Sequence, residues 1–207
     1  MLPRFFWLSE KIMTLKKLLK FVEFTHQFQQ VRRVLLVNGE DRQENDAEHS
    51  FQLALVAWYL IDAKNLKLDL DMVLKYAIVH DLVEVYAGDT YFFTTDQTLK
   101  DSKKEREEKA AERIASNFPE MLKINQIIFD YEKKADEESK FIYALDKILP
   151  VMNIFLDNGR SWRKKGVNLE MLRTKDEKVK KSLVIEEIWW ELMNELEKNK
   201  KSLFGNK

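Results

Sequence analysis

The sequence predicts an all-α protein folded as a single-domain helical bundle. The first reason is the scarcity of breakers. The 207 residues contain five Gly and three Pro, the two residues least tolerated inside helices. An all-β sandwich would need many more turn residues. The second reason is periodicity, since apolar residues return every three or four positions along most of the chain. The third is core-forming capacity. The chain is 45% hydrophobic, enough at this length for one sizeable core. Its 13 Phe, 5 Trp and 6 Tyr are too many aromatics for a disordered chain.

Residues 15 to 30 place Leu15, Leu18, Leu19, Val22 and Phe28 on one helical stripe. Residues 31 to 45 are less regular, and Asn38-Gly39 marks a turn that closes either a small hairpin or a loop. Asp46 is read as an N-cap with Glu48 in the first turn, opening an apolar helix to about Ile61. Leu70 to Val85 reads as the next helix, stopped near Gly88, with a loop from Tyr91 to Asp101. Ser102 to Asn117 is a charge-rich, solvated helix; Pro119 interrupts, and Glu120 to Lys134 continues as helix. Glu137 to Leu149 follows, kinked or ended by Pro150, then a short helical piece from Val151 to Asn158. Gly159 to Gly166 is read as a loop holding Trp162, and Leu169 to Lys200 as one or two amphipathic helices. No repeat, low-complexity tract or linker divides the chain.

Composition excludes several function classes. Thirty-five Lys and Arg balance 35 Asp and Glu, and a pI near 6.9 argues against a duplex-binding protein. The absence of cysteine excludes disulfides, thiolate nucleophiles and Cys-ligated zinc. The N-terminal apolar run is interrupted by Arg4 and ends at Glu10, too short for a signal segment. No stretch approaches the ~18 apolar residues of a membrane span. The expectation is a cytoplasmic protein with neither a nucleic-acid nor a membrane partner.

Polar residues then fall where stripes predict hydrophobes. Asp81 lies on the face of Leu70, Val73, Ala77 and Leu82; Asp146 stands at i+4 from Ile142; His49 precedes Leu53, Val56 and Leu60. A buried carboxylate without a partner is expensive, so these groups need one another or a shared cation. His80 adjoins Asp81. Two imidazoles and two carboxylates suit a mid-row divalent metal, which could activate a water for hydrolysis. The structural alternative is a satisfied core histidine and aspartates that cap backbone or pair with Arg. His26, also on a stripe but with no acid near it in sequence, is read as structural.

His49, then His80-Asp81, then Asp146, with 30 and 64 residues in the two gaps, resembles the H…HD…D signature of the HD-domain metal-dependent phosphohydrolases. The strings Arg42-Gln-Glu-Asn-Asp-Ala-Glu-His49-Ser, His80-Asp-Leu-Val-Glu84-Val-Tyr-Ala-Gly88-Asp89 and Ala144-Leu-Asp146-Lys-Ile resemble the branch that includes the bacterial 5′-deoxynucleotidases. The resemblance implies an all-α bundle of the HD-domain type around a central metal site. Its core would span 15–165, between an N-terminal extension, 1–14, and C-terminal helices, 166–207, packing on the same domain. It makes His49, His80, Asp81 and Asp146 ligands of one divalent metal (Mn, Co, Fe, Zn or Mg). Glu84 and Asp89 become catalytic or substrate-side acids, and Arg42 with Arg33 or Arg32 the holders of phosphate. A single metal fits the histidine count, because only His26 remains once the motif is filled, and it precedes the motif.

The expected function is release of phosphate from a small phosphate ester, a nucleoside or deoxyribonucleoside 5′-monophosphate, by a metal-bound water. Alternatives are a phosphodiesterase or pyrophosphohydrolase on the same metal, and a nucleotide-sensing HD module without turnover. After Asp89 the chain reads Thr90-Tyr-Phe-Phe93, a departure from the Pro-containing loop of the deoxynucleotidase pattern. That aromatic pair could stack a base or be buried. Trp162 is read as a packing residue. The stripe from Leu183 to Leu196 is core, homodimer interface or, in a helical interaction protein, a partner face.

Overall fold

The computed structural model describes residues 13–205. The expected N-terminal extension therefore lies outside the described residues except for its last two. In chain order the elements are α1 (Leu15–Phe28), β1 (Arg32–Leu36), β2 (Gln43–Asn45), α2 (Asp46–Lys64), α3 (Leu70–Val79), α4 (Glu84–Ala87) and α5 (Gln97–Asp101). They continue as α6 (Lys103–Asn117), α7 (Leu122–Lys133), α8 (Glu137–Leu156), α9 (Arg160–Lys165), α10 (Leu169–Arg173), α11 (Asp176–Val179), α12 (Leu183–Lys198) and α13 (Lys200–Phe204). The all-α class predicted by the sequence holds, with one two-stranded hairpin added. No helix among the described residues is long and apolar enough to cross a membrane.

Helix α8 is the axis. Phe141, Ile142, Ala144, Leu145, Ile148, Leu149 and Val151 are all buried along it. It passes through Pro150 without ending, so of the two expected effects of that proline, a kink or an end, the end is overturned. Proline inside a helix costs about 3 kcal/mol, and apolar burial on both sides of residue 150 outweighs that. Helices α2, α3 and α10 to α13 pack around α8 in the main cluster, while α1, α6 and α7 build a second cluster with Leu82 and Val83. The segment joining α3 to α4 is wedged between the two.

Several sequence readings change for physical reasons. In α1, Leu15, Leu18, Leu19 and Val22 are exposed, and Phe24 and Phe28 go inside. The rings win because Phe21 packs edge-on and Phe24 tilted against Phe118, at 5.7 and 5.2 Å, burying more area than the leucines could. His26 is exposed, outside any core. Residues 97–101 form α5, capped by Asp96, where a loop was expected. The cap of α2 is Asn45, one residue before the Asp46 expected: its side chain accepts from Glu48 N while Glu48 accepts from Asn45 N, a capping box. Asp46 is thereby released to point inward, fully buried.

Residues 159–166 hold helix α9, where a loop was expected. Gly159 starts it at φ 73, and a Cβ there would lie 2.1 Å from the Leu203 carbonyl oxygen. Gly159→Ala combines a left-handed backbone with a clash against main chain. It should cost about 2–4 kcal/mol, read as a lowered denaturant midpoint. Gly166→Ala, at φ 66 with nothing within 4 Å of the added methyl, should cost about 1 kcal/mol. Arg160 on α9 then holds the hairpin tip, donating to the carbonyls of Val37 and Glu40 and pairing with Asp41 and Asp157. Trp162 is buried and stacked on Phe204 at 4.8 Å.

The stripe of α12 is core: Ile185, Trp189, Met193 and Leu196 are buried, which removes it as a partner face. Exposed apolar rows lie instead on α1, as above, and on α2 at Phe51, Leu55, Trp58 and Tyr59.

Candidate metal centre and its cavity

His49, His80, Asp81 and Asp146 converge: each offers a ligand atom, and these atoms lie within 4.8 Å of one another. Three elements deliver them. The Asn45 cap fixes the start of α2 and so the first-turn position of His49. His80 ends α3, its Nδ1 donating to the Ala77 carbonyl at 2.9 Å. That bond turns Nε2 toward the centre, the usual second-partner arrangement of a ligating histidine. Asp146 comes from the middle of α8, buried.

The backbone tightens just after His80. Leu82 N bonds Val79 O, Glu84 N bonds Asp81 O, and Val85 N bonds Leu82 O, each an i to i+3 link of 3₁₀ type. Continuous α-helix from Leu70 to Val85 was expected. In a 3₁₀ turn residues i and i+3 eclipse, so Glu84 lies over Asp81 rather than over His80. Asp46, Asp81 and Glu84 accordingly form a second close group within the same 4.8 Å limit. The tightening also sends Leu82 and Val83 into the second cluster.

Arg33 supplies the cation of that acidic group. Its Nη1 lies 2.8 Å from Asp81 and 3.2 Å from Asp46, and its Nε 3.3 Å from Glu44. Nη2 takes no part in these pairs. Arg32 faces outward. Arg42 does not join the cluster: it is half exposed and tied to Glu40 at 2.7 Å and Glu48 at 2.9 Å. Those two carboxylates compensate it at the surface, beside the cap of α2.

Burial and charge set the protonation states. Burial would push His80 down, but Asp81 and Asp146 outweigh it and raise it to about 10. Burial, helped by Arg33, lowers His49 to about 4 against the pull of Asp146. Glu84 is held well above the carboxylate range, first by burial and then by Asp81, Asp46 and Asp89. Asp46 rises to about 7 from burial and Asp81, against Arg33. Burial likewise raises Asp89. Glu44 is raised to about 7, chiefly by burial, and faces His49 Nδ1 at 3.7 Å. Asp146 is held low: Lys147 and the two histidines outweigh its burial.

The centre opens onto a cavity of about 1030 Å³ lined by Arg33, Asp81, Glu84, Asp89 and Asp146 among others. Its far wall is the 90–95 segment, held by Arg106, which donates to the Ala87 carbonyl, to Thr90 Oγ1 at 2.7 Å and to Leu99 O at 3.2 Å. Sequence reasoning missed Glu44, Asp46, Arg106 and the cavity lysines. Glu44 and Asp46 flank the cap residue Asn45 and read as ordinary helix-start acids.

The HD domain family model matches residues 26–189 of this chain. Among curated proteins, the 5′-deoxynucleotidase HDDC2 of Mus musculus is 30% identical over 133 residues, 63% of this chain and 64% of the relative. The Homo sapiens protein of the same name is 30% identical over 135 residues, 64% of each chain. This chain thus spans a little under two thirds of the length of those relatives. A solved structure from Magnetospirillum magnetotacticum MS-1, described as a predicted metal-dependent phosphohydrolase, superposes with a TM-score of 0.76 at 26% identity, over 89% of this chain and 93% of that one. A Pyrococcus furiosus protein shares the fold at a TM-score of 0.59 and 19% identity, over 87% of this chain and 99% of that one.

Proposed function

The chain belongs to the HD domain family, and from that membership we propose that it is a metal-dependent phosphohydrolase releasing phosphate from nucleoside 5′-monophosphates. The observation that carries the reading is the four-residue donor set on the wall of a large cavity. The donors fit a divalent ion. His80 Nε2 is buried and has no hydrogen-bond partner, although Asp81 Oδ2 is 2.9 Å away; the two are close but misaligned, as donors aimed at a common cation are. Two imidazoles and two carboxylates match a mid-row ion such as Mn, Co, Fe or Zn, with Mg the harder alternative. The positive group among Asp46, Asp81 and Glu84 is already Arg33, which favours one metal over two.

In this reading His49, His80, Asp81 and Asp146 hold the ion, which when bound supplies Lewis-acid polarisation and a water of lowered pKa. Arg33 presents Nη2 to a phosphoryl oxygen, its Nη1 being bonded to Asp46 and Asp81 and its Nε facing Glu44 as an ion pair. Arg42, tied to Glu40 and Glu48, steadies the start of α2. Glu84, held well above the carboxylate range by burial and the neighbouring acids, delivers a proton to the leaving oxygen; Asp89 borders the same space. Glu44 orients His49 from behind. The relatives named 5′-deoxynucleotidase support the nucleotide class. A cytoplasmic setting goes with it, and a homodimer would use the exposed row of α2. The domain division we propose keeps 15–165 as the core, with 166–207 packed on it.

A screen of ribo- and deoxyribonucleoside 5′-monophosphates against divalent metals tests the reading. Free phosphate and nucleoside are expected; nucleotide products from diesters or triphosphates would replace it with the phosphodiesterase or pyrophosphohydrolase alternative. Glu84→Gln should lower kcat by about 10²–10⁴ with metal content unchanged. Recovery of kcat at excess metal would move Glu84 from proton transfer to support of the ligands.

A further inference from the structure

The cavity carries more cation than one phosphate ester needs. Seven Lys and Arg side chains line it against five Asp and Glu. Most are matched: Arg33 by Asp81, Lys147 by Asp146, Lys103 by Glu107 at 3.2 Å, Lys134 by Glu132 at 3.4 Å. Two are not. Lys175, in the turn before α11, is only 5% exposed, and its ammonium has neither a carboxylate nor a hydrogen-bond partner among the described residues. The ammonium of Lys178, one helical turn on, has none either. Both ammoniums rest on one ring: Lys175 Nζ is 3.9 Å and Lys178 Nζ 4.3 Å from the Phe92 centroid.

We infer that Lys175 and Lys178, seated on Phe92, form a second anion subsite that takes a further phosphoryl group of the substrate. A buried ammonium with no counter-charge is costly, and an aromatic face replaces only part of its lost hydration. Burial, then Lys147, holds Lys175 down at about 7, and Lys178 is lowered to about 8; a phosphoryl group between them would reverse both. Asp146 and Lys147 act on both lysines, so the subsite and the metal centre share one space. The ammoniums also occupy Phe92, so a base does not stack there. The substrate class is then narrowed to nucleotides that carry a further phosphoryl group besides the one released, and this rests on the phosphohydrolase reading above.

The test compares a nucleoside 5′-monophosphate with its 5′-diphosphate and its 3′,5′-bisphosphate on metal-loaded protein. Phosphate release and the ligand-induced rise in Tm are read together. Wild type is expected to favour one of the two doubly phosphorylated compounds by about tenfold or more in kcat/KM, as for charge-assisted bonds lost from a buried site. Which one wins reports where the second group sits. Lys175→Met with Lys178→Met should erase that preference and leave the monophosphate within about threefold, with Tm of the free protein unchanged or higher because an uncompensated charge is gone. Equal treatment of all three compounds by wild type, or a preference that survives the double variant, overturns the subsite. A preference in Tm without phosphate release keeps the subsite and overturns the hydrolytic reading. No effect of any compound overturns both.

Discussion

Replacing Asp146 with alanine is expected to strip the metal and abolish turnover. Asp146 is the group on which the centre converges: its Oδ1 is 2.9 Å from His49 Nε2 and 3.8 Å from His80 Nε2, and its Oδ2 pairs with Lys147. Loss of a mere outer partner typically costs 10–100-fold in metal affinity; loss of this ligand should exceed about 10²-fold. The variant also leaves Lys147 beside the centre without its carboxylate, a cation repelling the incoming ion. Asp146→Asn separates charge from packing, since it keeps volume and hydrogen bonding. Both variants should show less than about a tenth of wild-type metal by elemental analysis if the ligand role is right. Far-UV circular dichroism should stay that of wild type for Asp146→Asn. Stoichiometric metal in a folded Asp146→Asn protein would remove this residue from the ligand set.

Trp189→Ala is expected to be the most destabilising single truncation. Trp189 is completely buried in the main cluster. Its Nε1 also donates to Asp176 at 2.8 Å, the bond that seats α11 against α12. Truncating a buried Trp costs about 3–5 kcal/mol. For a chain of this length that corresponds to a fall in Tm of roughly 6–20 °C. Trp190, next in sequence, is 39% exposed, and Trp190→Ala should stay within about 1 kcal/mol. The pair makes the measurement self-controlled by calorimetry. Trp189→Phe keeps an aromatic ring, smaller than the indole, but removes the N–H bonded to Asp176, so it should cost less in the core than Trp189→Ala and still loosen α11.

The parts of this protein written in local sequence were readable. Helical class, the Leu70 start, the Ser102–Asn117 helix and the apolar stripe of α8 all follow from period and breakers. Three of the four candidate ligands, His49, Asp81 and Asp146, stood out because each interrupts an apolar face, and His80 because it adjoins Asp81; a buried polar group requires a partner wherever it folds. The errors are also local in kind. Pro150 read as a kink or an end, and the Gly159–Gly166 interval as a loop, because intrinsic cost is visible in sequence and the burial that outweighs it is not. The first stripe of α1 was misassigned because two apolar faces compete, and the one facing Phe118 buries more.

What only the tertiary structure decided is which charges meet. Arg33 and Arg42 look alike in sequence, yet one is enclosed by Glu44, Asp46 and Asp81 and the other is held at the surface by Glu40 and Glu48. Glu84 was placed with His80 by α-helical counting, and a 3₁₀ turn placed it with Asp81. Lys175 sits in a run of charges that reads as solvent-facing, and folding buried it against Phe92, 83 positions earlier in the chain. The sequence determined that His49, Asp81 and Asp146 needed partners, because each interrupts an apolar stripe. The partner of each charge depends on contacts between residues far apart in the chain, and Coulomb and desolvation energies are fixed only by those distances and by the water excluded around them.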